Sequence, residues 1–217
     1  MEKILHSKLL LIWQSLSKEE VRALKRFLQS PFFTLRQDVF RLYEQLKKLS
    51  YWPPNEESLR LKSFSKSSLF KYTFPAQPFD DQRLRSCMND LQDLLERFLL
   101  LRDLEQNPVG KQLALTRIYQ QRQLDKHFNF AHKKLQAQFE QNPWRNADHY
   151  QSILDAQIES LLHESRKRRT GELHLQQVSD SIDRVYLISK LRYACTQLSH
   201  QAVYSTNYDF GLLPNLI

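Results

Sequence analysis

Apolar residues recur at intervals of three and four along almost the whole chain, the spacing that places them on one face of an α-helix. Ile4, Leu5, Leu9, Ile12, Trp13 and Leu16 form the first such stripe. Ser17-Lys18-Glu19-Glu20 then fits a capping box, in which the serine caps a second helix and Glu20 reaches back. That helix carries Val21, Leu24, Phe27 and Leu28 and must stop near Ser30, because Pro31 cannot continue the ladder. Thr34 to Gln37 offers another capping box, and Leu35, Val39, Leu42, Tyr43 and Leu46 give the third helix its apolar face.

Tyr51-Trp52-Pro53-Pro54 breaks the pattern, with short helices expected around Glu56 to Leu61 and Lys66 to Thr73. After Pro75 and Pro78, Asp80 or Asp81 caps the clearest helix of the chain. Its stripe runs through Leu84, Cys87, Met88, Leu91, Leu94, Leu95, Phe98 and Leu101. Asn107-Pro108 ends it and marks the loosest point, so a bundle over residues 1–106 and a helix-pair region over 107–217 are expected. In the second region one helix holds Leu113, Ile118 and Tyr119, and the next holds Phe128, Ala131, Leu135 and Phe139. Asn146 caps a third with Tyr150, Leu154, Ile158, Leu161 and Leu162 inward. A long helix beyond Thr170-Gly171 contributes Leu175, Val178, Ile182, Val185, Tyr186 and Leu191.

The expected fold is therefore all-α, with about eight to ten helices and a bundle that passes into antiparallel helix pairs of α-solenoid type. Glycine sharpens this: only three occur in 217 residues, where average usage gives roughly fifteen. A chain so poor in glycine has few hairpin corners and no phosphate-binding loop or dinucleotide fingerprint. No strict repeat period is visible, and the tetratricopeptide pattern is not matched. Cys87 and Cys195 show no ligand spacing and are expected as small core residues, without a disulfide or zinc. The longest apolar run near the start, Leu9 to Trp13, is far too short to span a bilayer, so no membrane association and a cytoplasmic location are expected. The apolar ending, Phe210 to Ile217, suggests a longer protein that continues with further helix pairs.

The net charge of +8 is uneven. Residues 1–50 hold ten Lys/Arg against five Asp/Glu and residues 101–150 hold eight against five, while the remaining stretches balance. Such an excess favours acidic partners or polyanions but says nothing of fold. The densest run is Arg166-Lys167-Arg168-Arg169, at the end of a predicted helix, where cations also complement the macrodipole. Lys133 and Lys134 face water beside the Phe128 stripe, near His127, Phe130 and His132. These six cations, Arg166 to Arg169 with Lys133 and Lys134, are the candidate contacts to a polyanion or protein partner. Asp155, Glu159 and His163 share one strip of a helix. The strip lacks the Glu-x-x-His spacing and second copy that a di-metal bundle needs, and is expected as a solvated flank. No catalytic constellation, metal or cofactor is expected.

Phe27-Leu28-Gln29-Ser30-Pro31-Phe32-Phe33, then Phe74-Pro75, Phe79-Asp80-Asp81 and the Leu84 to Leu101 helix, together resemble an uncharacterised all-helical family of bacterial proteins. The resemblance implies bacterial origin, a helical repeat-like fold and members longer than this chain, and it carries no activity. Two functional expectations follow from the residues. The first is a non-catalytic helical scaffold that binds another protein. The alternative is a nucleic-acid-binding protein with a helix-turn-helix-like segment in 35–104, presenting Arg83, Arg85 and Arg97 to a groove.

Overall fold

A computed structural model describes residues 7–49, 66–167 and 173–213. The expected helix near Glu56 to Leu61, and Ile4 and Leu5 of the first stripe, lie outside those residues. Nine helices and no strand occur among the described residues, in an all-α fold. The chain divides into two compact units, residues 1–103 and 104–217. The division falls in the last turn of one helix, slightly before the Asn107-Pro108 break.

The first unit holds α1 (Lys8–Ser15), α2 (Lys18–Leu28), α3 (Gln37–Leu49), α4 (Lys66–Thr73) and most of α5 (Asp81–Gln106). Its punctuation is local chemistry. Ser17 Oγ accepts from the Glu20 amide at 3.1 Å while Glu20 Oε2 accepts from the Ser17 amide at 2.7 Å, a complete capping box. Asp80 Oδ1 accepts from the Arg83 amide and so caps α5. At α3 the expected capping box does not form. Thr34 Oγ1 takes the nearer Arg36 amide in a short turn, and Leu35 points out, 78% exposed. Arg36 instead ties the start of α3 to α5 through ion pairs to Asp38 and Asp90.

One apolar core joins Leu10, Trp13, Leu24, Leu42, Leu69, Phe70, Leu84, Leu91 and Leu95 from all five helices. Trp13 packs edge-on to Tyr43 with ring centroids 5.7 Å apart. The Tyr43 hydroxyl donates to the Val21 carbonyl at 2.8 Å, so this fully buried polar group is satisfied. Burial pushes the Tyr43 phenol up to about 12 and the Cys87 thiol up to about 12. Leu101, expected on the buried stripe of α5, is largely exposed, because the stripe outruns the helices that cover it.

The second unit begins where Asn107 Oδ1 accepts from the Gly110 amide at 2.8 Å. It holds α6 (Pro108–Gln121), α7 (Asp125–Gln141), α8 (Ala147–Lys167) and α9 (Leu175–Tyr204). Gly110 therefore lies in the first turn of α6. Gln112 Nε2 donates to the Ala131 carbonyl, and Tyr119 meets His127, which runs α7 antiparallel to α6. Phe139 meets His149 and Phe128 meets His163, so α8 is antiparallel to α7. Arg117 pairs with Glu159 and Arg166 reaches Gln120, which sets α6 and α8 side by side and parallel. Arg184 lies over Tyr150, and Gln177 and Val178 line one cleft with Leu161 and Glu164, so α9 returns antiparallel to α8.

Burial in this unit departs from the apolar stripes. Phe128, Ala131, Leu135 and Phe139 are buried as expected, but on α6 the buried positions are Gln112 and Thr116, while Ile118 is exposed. On α8 they are His149, Leu154, Ala156, Glu159 and His163, with Ile158 and Leu162 turned outward. On α9 only Ser181 and Ala194 are buried; Leu175, Ile182, Tyr186 and Leu191 are exposed. Cys195 is exposed too, against the expectation of a core thiol. Small residues let α9 approach its neighbour closely, and its large side chains are left outside.

Leu91→Ala is expected to cost about 2–5 kcal/mol in urea denaturation, because Leu91 is fully buried in the first core. Leu101→Ala on the same helix should change stability by less than about 0.5 kcal/mol.

Candidate functional site

The side chains with the most unusual surroundings lie where α6, α7 and α8 meet. His163 is completely buried. Its ring stacks on Phe128 with centroids 3.8 Å apart and planes inclined by 15°. Its Nε2 stands 3.7 Å from Asp125 Oδ1, too far for a hydrogen bond, and neither ring nitrogen has a partner among the described residues. Burial, aided by the Lys167 charge, holds the His163 pKa below the ordinary histidine value. One turn back, the nearly buried Glu159 accepts from Arg117 Nε at 2.8 Å. The Asp155, Glu159 and His163 strip is therefore not a solvated flank. Glu159 meets Arg117 of α6 and the His163 ring meets Phe128 of α7, while the partly exposed Asp155 accepts from Gln151 of its own helix. Among the described residues no group of three potential ligands could hold a metal ion.

The candidate basic run closes this junction. Arg166 Nη1 donates to the Gln120 carbonyl at 2.7 Å at the end of α6, and Lys167 Nζ lies 3.4 Å from Asp125 Oδ2 at the start of α7. Both cations thus clamp the last turn of α8 onto its neighbours. Arg168 and Arg169 lie outside the described residues.

Lys133 and Lys134 sit differently. They are exposed on the outer face of α7 together with Lys126, and Phe130 projects between them, 73% exposed. Spacings of three and four from Phe130 gather Lys126, His127, Lys133 and Lys134 round one ring, with no carboxylate in that strip. The sequence assigned the aromatic content here to the core; that holds for Phe128 but not for Phe130.

A cleft of about 310 Å³ opens beside His132, Gln136, Gln157, Ser160 and Glu164. His132 Nδ1 and Gln157 Oε1 are buried there without partners among the described residues, and burial lowers the His132 pKa. In the first unit, Phe33 folds back to stack on Phe27 at 3.9 Å, while Phe32 stays 79% exposed. The three arginines expected to face a groove are engaged with their own unit. Arg85 pairs with Asp81 at 2.7 Å, Arg83 lies over Phe74 at 4.6 Å and Arg97 lies over Phe33 at 5.0 Å.

Sequence reasoning missed the exposed face of α9, because an apolar stripe looks the same whether it is covered by its own chain or not. The signal available was the pair of small buried residues, Ser181 and Ala194, that direct α9 onto its neighbours. No family model, curated protein or solved structure matches this chain.

His163, His132 and His149 all have pKa values below the ordinary 6.5, so near that pH the unfolded chain binds more protons than the folded one. Stability is then full above about pH 6.5 and falls as the pH drops toward the folded-state values. Unfolding at pH 7.5 and pH 5.5 should show this loss, and His163→Leu should reduce it without removing it. An unchanged pH dependence in the variant would contradict the buried, neutral ring.

Proposed function

We propose that this chain is a non-catalytic helical scaffold that binds another protein in the cytoplasm, with no cofactor in its action. The observation that carries the reading is α9, whose Leu175, Ile182, Tyr186 and Tyr193 form an exposed apolar stripe on a helix that packs against α8 along another face. Scattered surface apolar groups need no explanation, but an ordered stripe along a long helix is the form in which helices recognise other helices. The stack of alternating helices α6 to α9 supports the same reading, since each layer of such a stack offers its outer face to the next. No helix among the described residues is long and apolar enough to cross a membrane.

Nucleic-acid binding remains the second reading, and one observation favours it. The outer face of α7 combines an exposed ring, Phe130, with Lys126, Lys133 and Lys134. Aromatic platforms flanked by cations take unpaired bases and backbone phosphates. Arg166 and Lys167 support this less, since each is engaged with its own unit.

A photo-crosslinking amino acid placed at Tyr186, and separately at Lys134, in the source cells separates the two. The scaffold reading expects protein adducts from position 186 and none with nucleic acid at either position. Nucleic-acid adducts at 134, with salt-sensitive retardation of a single-stranded oligonucleotide that Phe130→Ala weakens several-fold, would replace it by the second reading.

A further inference from the structure

The outward face of α9 has a periodicity of its own. Leu175, Ser179, Ile182, Tyr186, Ser189, Tyr193, Thr196 and His200 follow one another at intervals of four and three without a break. That is the spacing of a coiled-coil seam over three and a half heptads. The face turned toward α8, marked by Gln177, Val178 and Arg184 with the buried Ser181, lies about 120° round the helix, given 100° per residue. A partner helix can therefore lie along the seam without displacing α8. Leu175, Ile182, Tyr186 and Tyr193 stand open to receive it.

The charges beside the seam identify the occupant. On the side away from α8 the flanking positions are Gln176, Asp183, Lys190 and Gln197, and the residues at these positions face one another when two such helices pair antiparallel. With two copies of α9 aligned so that Ile182 of each lies opposite Tyr193 of the other, Tyr186 meets Ser189, and Leu175 reaches the end of the seam at His200, whose ring is held by Tyr204, Thr206 and Tyr208 of its own chain. In this register Asp183 of each copy faces Lys190 of the other, and Gln176 faces Gln197. Neither Asp183 nor Lys190 makes an ion pair among the described residues, and Lys190 is half-buried beside Gly211. A slip of one heptad in one direction sets Asp183 against its own counterpart. A slip in the other direction sets Lys190 against Lys190. Like charges across a seam are unfavourable, so the pattern selects one register and excludes its neighbours.

We propose that α9 is a homotypic interface, on which a second copy of this chain docks its own α9 antiparallel, with Ile182 opposite Tyr193 and Asp183 paired to Lys190. The contact is isologous, since each residue meets its partner twice under one two-fold axis. It places α8 and α9 of both copies in a four-helix arrangement. The proposal rests on the scaffold reading and names the partner at this one face.

Light scattering on the full chain, coupled to size exclusion, tests it. The expected mass is twice 26.0 kDa. Asp183→Lys alone and Lys190→Asp alone should each raise the dimer dissociation constant about tenfold or more, and the double exchange should restore it. Helicity by circular dichroism should be unchanged in all three, which separates lost pairing from lost folding. Ile182→Cys with Tyr193→Cys, in a Cys195→Ser background, should oxidise to a covalent dimer. A monomer at concentrations up to the hundred-micromolar range would overturn the proposal, as would a dimer indifferent to both charge reversals or not restored by the exchange. A monomer that still gives a heterologous protein adduct at position 186 leaves the scaffold reading standing, whereas absence of any protein adduct there removes that reading as well.

Discussion

His163 and Glu159 occupy positions on α8 where an apolar side chain would serve as well, and their burial decides which way that helix is turned. Once the ring lies flat on Phe128 and the carboxylate is held by Arg117, α8 must run antiparallel to α7 and alongside α6. Arg166 and Lys167 then fall over the ends of α6 and α7 and fasten the last turn. The same rotation sends Ile158 and Leu162 outward and fixes the side on which α9 can return. Turning α8 by a quarter revolution to hide its leucines would strand Glu159 and Arg117 apart and expose the stacked ring. A buried charge without its partner costs far more than an exposed leucine, so the polar contacts win.

The two units are built by different means. The first is a contiguous apolar core to which five helices contribute, with two deeply buried hydroxyls, Tyr43 and Thr73, satisfied by the Val21 and Leu69 carbonyls. The second has a small apolar cluster of Leu135, Phe139 and Ala156, supplemented by Gln112, Thr116, Glu159 and His163 in buried positions. Polar groups of this kind specify orientation more sharply than they add stability, because each is favourable only when one particular partner is in reach. A scaffold that offers ordered outer faces benefits from that. The direction of α9, and so the alignment of its open stripe, follows from how α8 is locked.

The sequence made the first unit nearly transparent. Ser17 and Glu20, Asp80, and the stripes of α2 and α5 act through neighbours a few residues away, and local chemistry of that kind is written in the order of the residues. Leu35 was misplaced for a related reason: two short side-chain bonds compete for the same threonine, and spacing does not say which amide it reaches. In the second unit the periodicity gave the helices but not their rotation. An apolar strip of Leu154, Ile158 and Leu162 lies beside the strip of Asp155, Glu159 and His163, and only the partners on α6 and α7 decide between them. Lys133 and Lys134 were legible as exposed, while Arg166 and Lys167, equally charged, turned out to be fastened to the chain itself.

α9 extends the same lesson to function, since a stripe left open in one chain looks like core in its sequence. The account stands or falls on the inward face of α8, because that face orients the helices on either side. The most direct measurement is the proton titration of the His163 ring by nuclear magnetic resonance in the folded full-length chain, assigned by comparison with His163→Leu. The buried stack on Phe128 predicts that the ring titrates below pH 6.5, with ring-current-shifted protons. A ring that titrates at or above 6.5 with unshifted resonances would place His163 in water, and the arrangement derived from it would be wrong.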